Sequence, residues 1–291
     1  MAVASRQTIS SKTLLQLGRV SNLPTVWTNV LAGTVLAGGP WQNARTVIVL
    51  VAMSLFYVGG MYLNDYFDRT IDACERPERP IPAGDISANA VAAAGFGMLA
   101  AGVVLLAVTA AAAVVAGLIL AALVVAYNLF HKGISISPVT MGLCRAFVYF
   151  GAAAAASGVV SWPIALAGFA LTTYVAGLTY AARQESLDRV GNLWPLLLLC
   201  VPMILGAPAF AQGASAIFIG LALIGWTAYA VYLLARRPVP GAVSRAVGAL
   251  IAGISLVDAT FLASIGAIMP ALMAVAGFGA TILLQRHIAG T

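Results

Sequence analysis

Long apolar runs separated by short polar breaks recur along the whole chain, near 22–38, 46–65, 88–108, 110–130, 138–159, 162–182, 193–211, 214–235, 245–265 and 267–285. Each is close to the ~20 residues that a helix needs to cross ~30 Å of hydrocarbon. Within lipid, a helix is the element that satisfies its own backbone hydrogen bonds without closing a barrel. The runs are continuous rather than alternating, so they predict helices and not strands. The pattern therefore predicts an all-α integral membrane protein, a bundle of nine or ten transmembrane helices forming one domain over 1–291. The split near 109 rests on length, because 88–130 is too long for one crossing. The last two runs are nearly continuous, which leaves one of them a candidate re-entrant segment.

The positions of the basic residues orient this bundle. Alternating the runs from a cytoplasmic N-terminus puts Arg6, Lys12, Arg19, Arg69, Arg76, Arg79, Lys132, Arg183, Arg189, Arg236, Arg237 and Arg245 inside, with Arg286 too for ten helices, and only Arg45 outside. That asymmetry satisfies the positive-inside rule and predicts a multi-pass protein of the plasma (inner) membrane, with the N-terminus and the chemistry-bearing loops cytoplasmic. The first twenty residues show no short apolar core followed by a cleavage site, so the first spanning helix is expected to serve for insertion. At 62% hydrophobic and 8% charged residues the chain is far from a soluble domain, which carries about 25% charge. The net charge of +6 is spread over short loops, which gives no footprint for nucleic acid. Three scattered cysteines (Cys74, Cys144, Cys200) fit neither a disulfide framework nor a zinc site.

Against that background one stretch stands out. Asn64-Asp65-Tyr66-Phe67-Asp68-Arg69-Thr70-Ile71-Asp72 carries three carboxylates in a chain with nine acidic residues in all. If the helix runs on through it, Asn64, Asp68 and Asp72 recur every four residues and Asp65 lies three before Asp68, roughly on one face. Carboxylates so close repel one another unless a cation holds them. Mg²⁺ takes one or two carboxylates together with phosphate oxygens, so the stretch reads as a Mg²⁺–diphosphate site at a membrane surface. Its plain alternative is a solvated acidic helix end. Pro77, Pro80 and Pro82 then stop the helix and stiffen a loop in which Arg76 and Arg79 are candidates to grip phosphate, or to pair with Glu75 and Glu78. Ser87 is a candidate N-cap for the next helix.

Weaker candidates sit in the other inner loops and in the helices. Lys132 ends the fourth helix, where it reads equally as a snorkelling anchor. Tyr180, Gln184 and Asp188 share a face at the end of the sixth, and Glu185 joins them as a second acidic cluster. Arg145 lies deep in the fifth helix and Asp258 deep in the ninth, positions that normally face a cavity or a partner. Asn22, Asn29 and Arg145 are candidates to hold the polar group of a second substrate. Tyr62, Tyr66, Tyr127, Tyr149 and Tyr180 are candidates to stabilise a carbocation through their ring faces.

The run Asn64-Asp65-x-x-Asp68-x-x-x-Asp72, followed by Arg76, Arg79-Pro80 and Gly84, resembles the first motif of the UbiA family of intramembrane prenyltransferases. Tyr127…Lys132 is similar to that family's tyrosine–lysine element with one extra residue between, and the end of the sixth helix to its second aspartate motif. There the chain departs from the pattern, with Gln184 where the family usually has an aspartate, Asp188 at the second position and Glu185 displaced by one. The stretches Arg19 to Asn29 and Met141 to Arg145 look like a divergent branch.

The resemblance implies helices around a cavity open laterally to lipid, with an active site on the cytoplasmic side. It implies Mg²⁺ on Asp65, Asp68 and Asp72, with Asp188 and Glu185 on a second ion and Lys132 adding fixed charge. Asn64, Arg76, Arg79, Tyr127, Tyr180 and Gln184 would bind substrate. The activity implied is ionisation of an isoprenoid diphosphate and transfer of the prenyl cation to a small aromatic or lipid acceptor. The alternative is a terpene cyclase of the same family, in which the chain's own double bond attacks. A transporter using Asp258 and Arg145 is a third reading, but no inverted repeat is visible.

Overall fold

The computed structural model describes residues 10–130, 135–184, 190–237, 239–288 and 290. Among them the order is α1 (Ser11–Leu17), a 3₁₀ turn at Val20–Asn22, α2 (Leu23–Leu36), α3 (Ala44–Glu75), α4 (Ala88–Ala107), α5 (Ala111–Phe130), α6 (Ser137–Ser157) and α7 (Trp162–Ala182). A broken segment follows, 3₁₀ at Trp194–Cys200, α8 (Val201–Leu205) and 3₁₀ at Ala207–Ala211, before α9 (Ala214–Arg236), α10 (Ala242–Ser264) and α11 (Ile268–Gln285).

Nine segments among the described residues are long and apolar enough to cross a membrane. The segment that falls short is the first: α2 has 14 residues, ~21 Å of helix. The last two runs resolve into two separate long helices, α10 and α11. Gly266 (φ 75°) makes the turn between them in a conformation that a side chain resists. The broken segment at 194–211 owes its form to Pro195, Pro202 and Pro208, each removing a helical donor.

The contacts at the ends of the helices agree with alternating passes. At the arginine-rich end, the Asn22 side chain before α2 donates to the Gly290 carbonyl (2.8 Å) and accepts from Gln285 of α11 (3.0 Å). At the same end, Arg183 after α7 donates to the Ser137 hydroxyl of α6 (3.3 Å). At the opposite end, Arg45 of α3 donates to the Ala155 carbonyl of α6 (3.3 Å), and Gln212 before α9 to the Ser264 carbonyl of α10 (3.2 Å).

Helices pack closely here because small residues line their contacts, as in membrane bundles generally. A Cβ on Gly33 would lie 2.6 Å from the Tyr149 carbonyl, and one on Gly142 would collide with the Thr172 carbonyl. These two contacts fix α6 against α2 and α7, and α6 carries Arg145 and Tyr149. The most deeply enclosed helix is α10, whose Asp258 is wholly buried.

Candidate active site

Helix α3 has 32 residues, ~48 Å of helix, so its last turns extend well beyond what a bilayer crossing requires. Asn64, Asp65, Asp68 and Asp72 fall in that extension. They are not a solvated helix end: their exposures are 9%, 7%, 8% and 5%. Arg76 ends the helix, its amide donating to the Asp72 carbonyl (2.8 Å). The proline loop then folds back through turns closed by Ala83 N–Arg79 O (2.9 Å) and Asp85 N–Pro80 O (3.0 Å). Ser87 caps α4 as expected, its hydroxyl accepting from the Ala90 amide (3.3 Å).

This fold-back delivers Arg79 onto the acidic face. Its Nη1 lies 3.1 Å from Asp65 Oδ1 and 3.0 Å from Asp72 Oδ2. Arg19 reaches the same patch, with Nη2 3.1 Å from Asn64 Oδ1 and 3.4 Å from Asp65 Oδ1. These are all the ion pairs found among the described residues. Arg79 therefore pairs with neither Glu75 nor Glu78, and Arg76 forms no ion pair there.

The donor chemistry fits a hard cation, since Asp65 and Asp72 converge on one point that a positive nitrogen occupies. No three acidic, histidine or cysteine side chains among the described residues stand together as a ready-made metal cage. Asp65 and Asp72 would hold such an ion in place of the Arg79 guanidinium, and it would supply positive charge to phosphate oxygens. Lys132, Glu185 and Asp188 lie outside the described residues.

Below the patch is a mostly apolar cavity of about 80 Å³ between α3, α5 and α6. Its walls include Phe56, Leu120, Val124 and Val148, and its upper rim includes Gly60, Tyr127 and Asn128. Asn128 joins the two compartments: its amide donates to the Gly60 carbonyl (3.2 Å) and its oxygen accepts from Asn64 (3.2 Å), which also donates to Asp68 (3.4 Å).

Arg145 stands in the cavity wall, as the cost of a charge at that depth predicts. Its Nη1 donates to Asn29 Oδ1 (3.1 Å), and Asn29 Nδ2 donates to both oxygens of Asp258 (2.9 Å each). The Tyr149 hydroxyl also donates to Asp258. Arg145 and Asp258 are thus linked through an amide and not paired directly. The Arg145 guanidinium lies over the Tyr57 ring, 5.3 Å from its centroid.

Among the other candidates, Asn22, Tyr62, Tyr66, Tyr180 and Gln184 are not among the residues that line this cavity. Asn22 is held by Gln285 and Gly290. The Tyr180 hydroxyl donates to the Asn192 carbonyl (2.9 Å), and the Gln184 oxygen accepts from the Gly191 amide (2.8 Å), so both brace the loop after α7. Of the tyrosines, Tyr127 lines the cavity, Tyr62 bonds the Leu14 carbonyl (3.3 Å), and Tyr66 lies under Arg69, 4.5 Å from its ring centroid. Arg19, Asn128 and Tyr57 were not singled out from the sequence as site residues. The one hint was Asn128 next to Tyr127; Arg19 needed its left-handed backbone (φ 42°) to be seen.

Several known proteins are similar to this chain in sequence or in fold. Digeranylgeranylglyceryl phosphate synthase of Methanothrix thermoacetophila is 44% identical over 79 residues, 27% of this chain and 30% of that relative. The chain thus matches less than a third of that relative's length. The structure of a UbiA homolog from Aeropyrum pernix K1 matches with a TM-score of 0.66 at 20% identity, covering 82% of this chain and 96% of that one. A UbiA homolog from Archaeoglobus fulgidus bound to GPP and Mg²⁺ matches with a TM-score of 0.61 at 14% identity, covering 89% and 100%. The profile of the UbiA prenyltransferase family matches residues 26–246, most of the chain. That match covers more than half of the sequence, and this chain belongs to the UbiA prenyltransferase family.

Proposed function

We propose that this protein is a Mg²⁺-dependent intramembrane prenyltransferase that ionises an isoprenoid diphosphate at the acidic patch and passes the prenyl group to a small acceptor. The observation that carries this reading is the pairing of compartments: buried carboxylates sit directly on an apolar cavity and share Asn128 with it. A substrate with a charged head and a greasy tail matches that division. Each tail CH₂ buried is worth about 0.8 kcal/mol.

Asp65 and Asp72 would hold Mg²⁺, with Asp68 beside them, and Asp188 and Glu185 are proposed for a second ion. Bound Mg²⁺ supplies the charge that neutralises the diphosphate leaving group. Arg79, released from the two carboxylates, is positioned to turn its planar fork to phosphate oxygens, with Arg76, Arg19 and Lys132 adding fixed charge. Asn64 is oriented by Asn128 and Arg19 to meet the head group. The allylic C–O bond breaks with its electron pair leaving on diphosphate. An electron pair of the acceptor forms the new bond, and the acceptor's proton goes to diphosphate or water. The dry cavity keeps water from capturing the cation first.

The relatives named digeranylgeranylglyceryl phosphate synthase favour a glycerophosphate-type lipid acceptor, alongside the small aromatic acceptors expected from the sequence. The distribution of arginines favours a cytoplasmic, inner-membrane face for the site. The test is release of diphosphate from geranyl, farnesyl and geranylgeranyl diphosphates by the protein in nanodiscs, with a small aromatic or a glycerophosphate-type lipid acceptor supplied. Release should require Mg²⁺ and stop with EDTA; EDTA-insensitive release, or none with any donor, refutes the reading.

A further inference from the structure

We propose that the end of the bundle opposite the acidic patch holds an anionic phospholipid, its phosphate on Arg45 and one chain in the groove between α2, α3 and α11. The site goes beyond prenyl transfer and does not depend on it. Three observations carry it.

The first is a charge that the protein does not answer. About 30 Å of helix separates Arg45 from Asp65 on α3, which puts Arg45 at the far side of a bilayer from the patch. It is the one lysine or arginine at that end of the helices, and it is exposed. Of the nine acidic residues, eight fall in the last turns of α3 or in the segments that follow α3 and α7. The ninth, Asp258, is taken by Asn29 and Tyr149. Arg45 accordingly forms no ion pair among the described residues. Trp41 and Trp162 (76% exposed) stand at the same end, where indoles mark the headgroup level.

The second is the seat beside that charge. Arg45 borders a pocket of about 60 Å³ with Thr34, Asn43 and Thr46. The Asn43 oxygen caps α3, accepting from the Thr46 amide (2.8 Å), and its NH₂ remains a donor for an anion. The Arg45 guanidinium is steadied by the Ala155 carbonyl (3.3 Å). The pocket lies at the N-terminus of α3, whose dipole also favours negative charge.

The third is a place for the chain. Thr46 borders both this pocket and a groove of about 620 Å³. Trp27 and Leu31 of α2, Leu50 of α3, and Ala276 and Ala280 of α11 line it. Its floor is the contact of α2 with α11, where a Cβ on Gly277 would lie 2.5 Å from Thr28 Cγ2. The groove shares no lining residue with the cavity beside Asn128, so its occupant does not compete with the donor's tail. A chain that moves from bilayer to groove gains no hydrophobic free energy, so the headgroup charge must select the lipid while the groove seats it. A free phosphate would answer Arg45 and leave the groove unused; a phospholipid uses both.

The experiment is native mass spectrometry of the full-length protein, titrated with phosphatidylglycerol and with phosphatidylcholine of the same chains. The wild type should bind one phosphatidylglycerol in preference. Arg45→Gln should lower that preference about fivefold, the worth of one arginine at an anionic lipid surface, and Arg45→Lys should keep most of it. Ala276→Phe should fill the groove and weaken both lipids at this site, with Ala280→Leu in its place if that variant does not fold. Glycerol 3-phosphate, a headgroup without chains, should not displace the lipid. An unchanged preference in Arg45→Gln overturns the proposal. So does displacement by glycerol 3-phosphate, which marks a free-anion site. A wild-type dimer that Ala276→Phe dissociates overturns it too, since the groove would then be covered by a second copy.

Discussion

Arg79→Ala separates a cation-binding patch from a merely structural salt bridge. The variant removes the guanidinium that lies 3.1 Å from Asp65 and 3.0 Å from Asp72. Removing one partner of a buried ion pair costs about 3–5 kcal/mol. Arg79 is 15% exposed in its side chain, against 10% and 7% for the two carboxylates, so the lower end, about 3 kcal/mol, applies. For a chain of 291 residues that is a loss of roughly 5 °C in melting temperature. Arg19 still faces Asp65, whereas Asp72 is left without its ion pair. Mg²⁺ should then enter a site that no longer holds an internal cation. A ligand at a hundred times its Kd contributes about 2.7 kcal/mol, so saturating Mg²⁺ should return most of the lost stability. The assay is thermal unfolding by tryptophan fluorescence over a Mg²⁺ titration, without substrate. The wild type, whose Arg79 must first be displaced, should gain less than the variant. Equal Mg²⁺ responses in the two proteins would refute the idea that Arg79 and the metal compete for one position.

Further outcomes follow from the same geometry. Asp72→Ala and Asp68→Ala should each abolish Mg²⁺-dependent diphosphate release while the protein still folds; turnover within tenfold of wild type in either would count against the metal assignment. Asn128→Ala leaves Asn64 without one of its partners and the Gly60 carbonyl without its donor, a loss of about 1–3 kcal/mol. It should raise KM for the donor diphosphate by about tenfold, and an unchanged KM would show that Asn128 does not orient the head group. Val148→Phe intrudes on the cavity ~16 Å of helix below Asn64, at the level of Met53 and Phe56 on α3. It should lower kcat/KM for geranylgeranyl relative to geranyl diphosphate by about tenfold or more, because each CH₂ denied burial costs about 0.8 kcal/mol. An unchanged ratio would put the tail elsewhere.

Much of this was legible in the sequence because lipid imposes strict length and polarity on every crossing. The acidic stretch was legible by contrast, and its burial excludes a solvated helix end. The helix count was legible only to within one, because α2 is short and proline breaks the segment at 194–211. What sequence could not supply was the register between distant helices. Arg19 meets Asp65 across 46 positions, and only after a left-handed turn. Asp258 was a candidate partner for Arg145, but the amide between them comes from Asn29, 229 positions from Asp258. Tyr180 and Gln184 fit a substrate-binding face by helical spacing, yet their polar atoms bond the backbone of Asn192 and Gly191.

The most direct test of the central claim is a structure of the protein with Mg²⁺ and a non-hydrolysable isoprenoid thiodiphosphate. The account predicts Mg²⁺ about 2.1 Å from oxygens of Asp65 and Asp72, Arg79 moved onto the phosphates, and the tail between α3, α5 and α6. A structure with Arg79 still bridging the two carboxylates and the diphosphate bound elsewhere would contradict it.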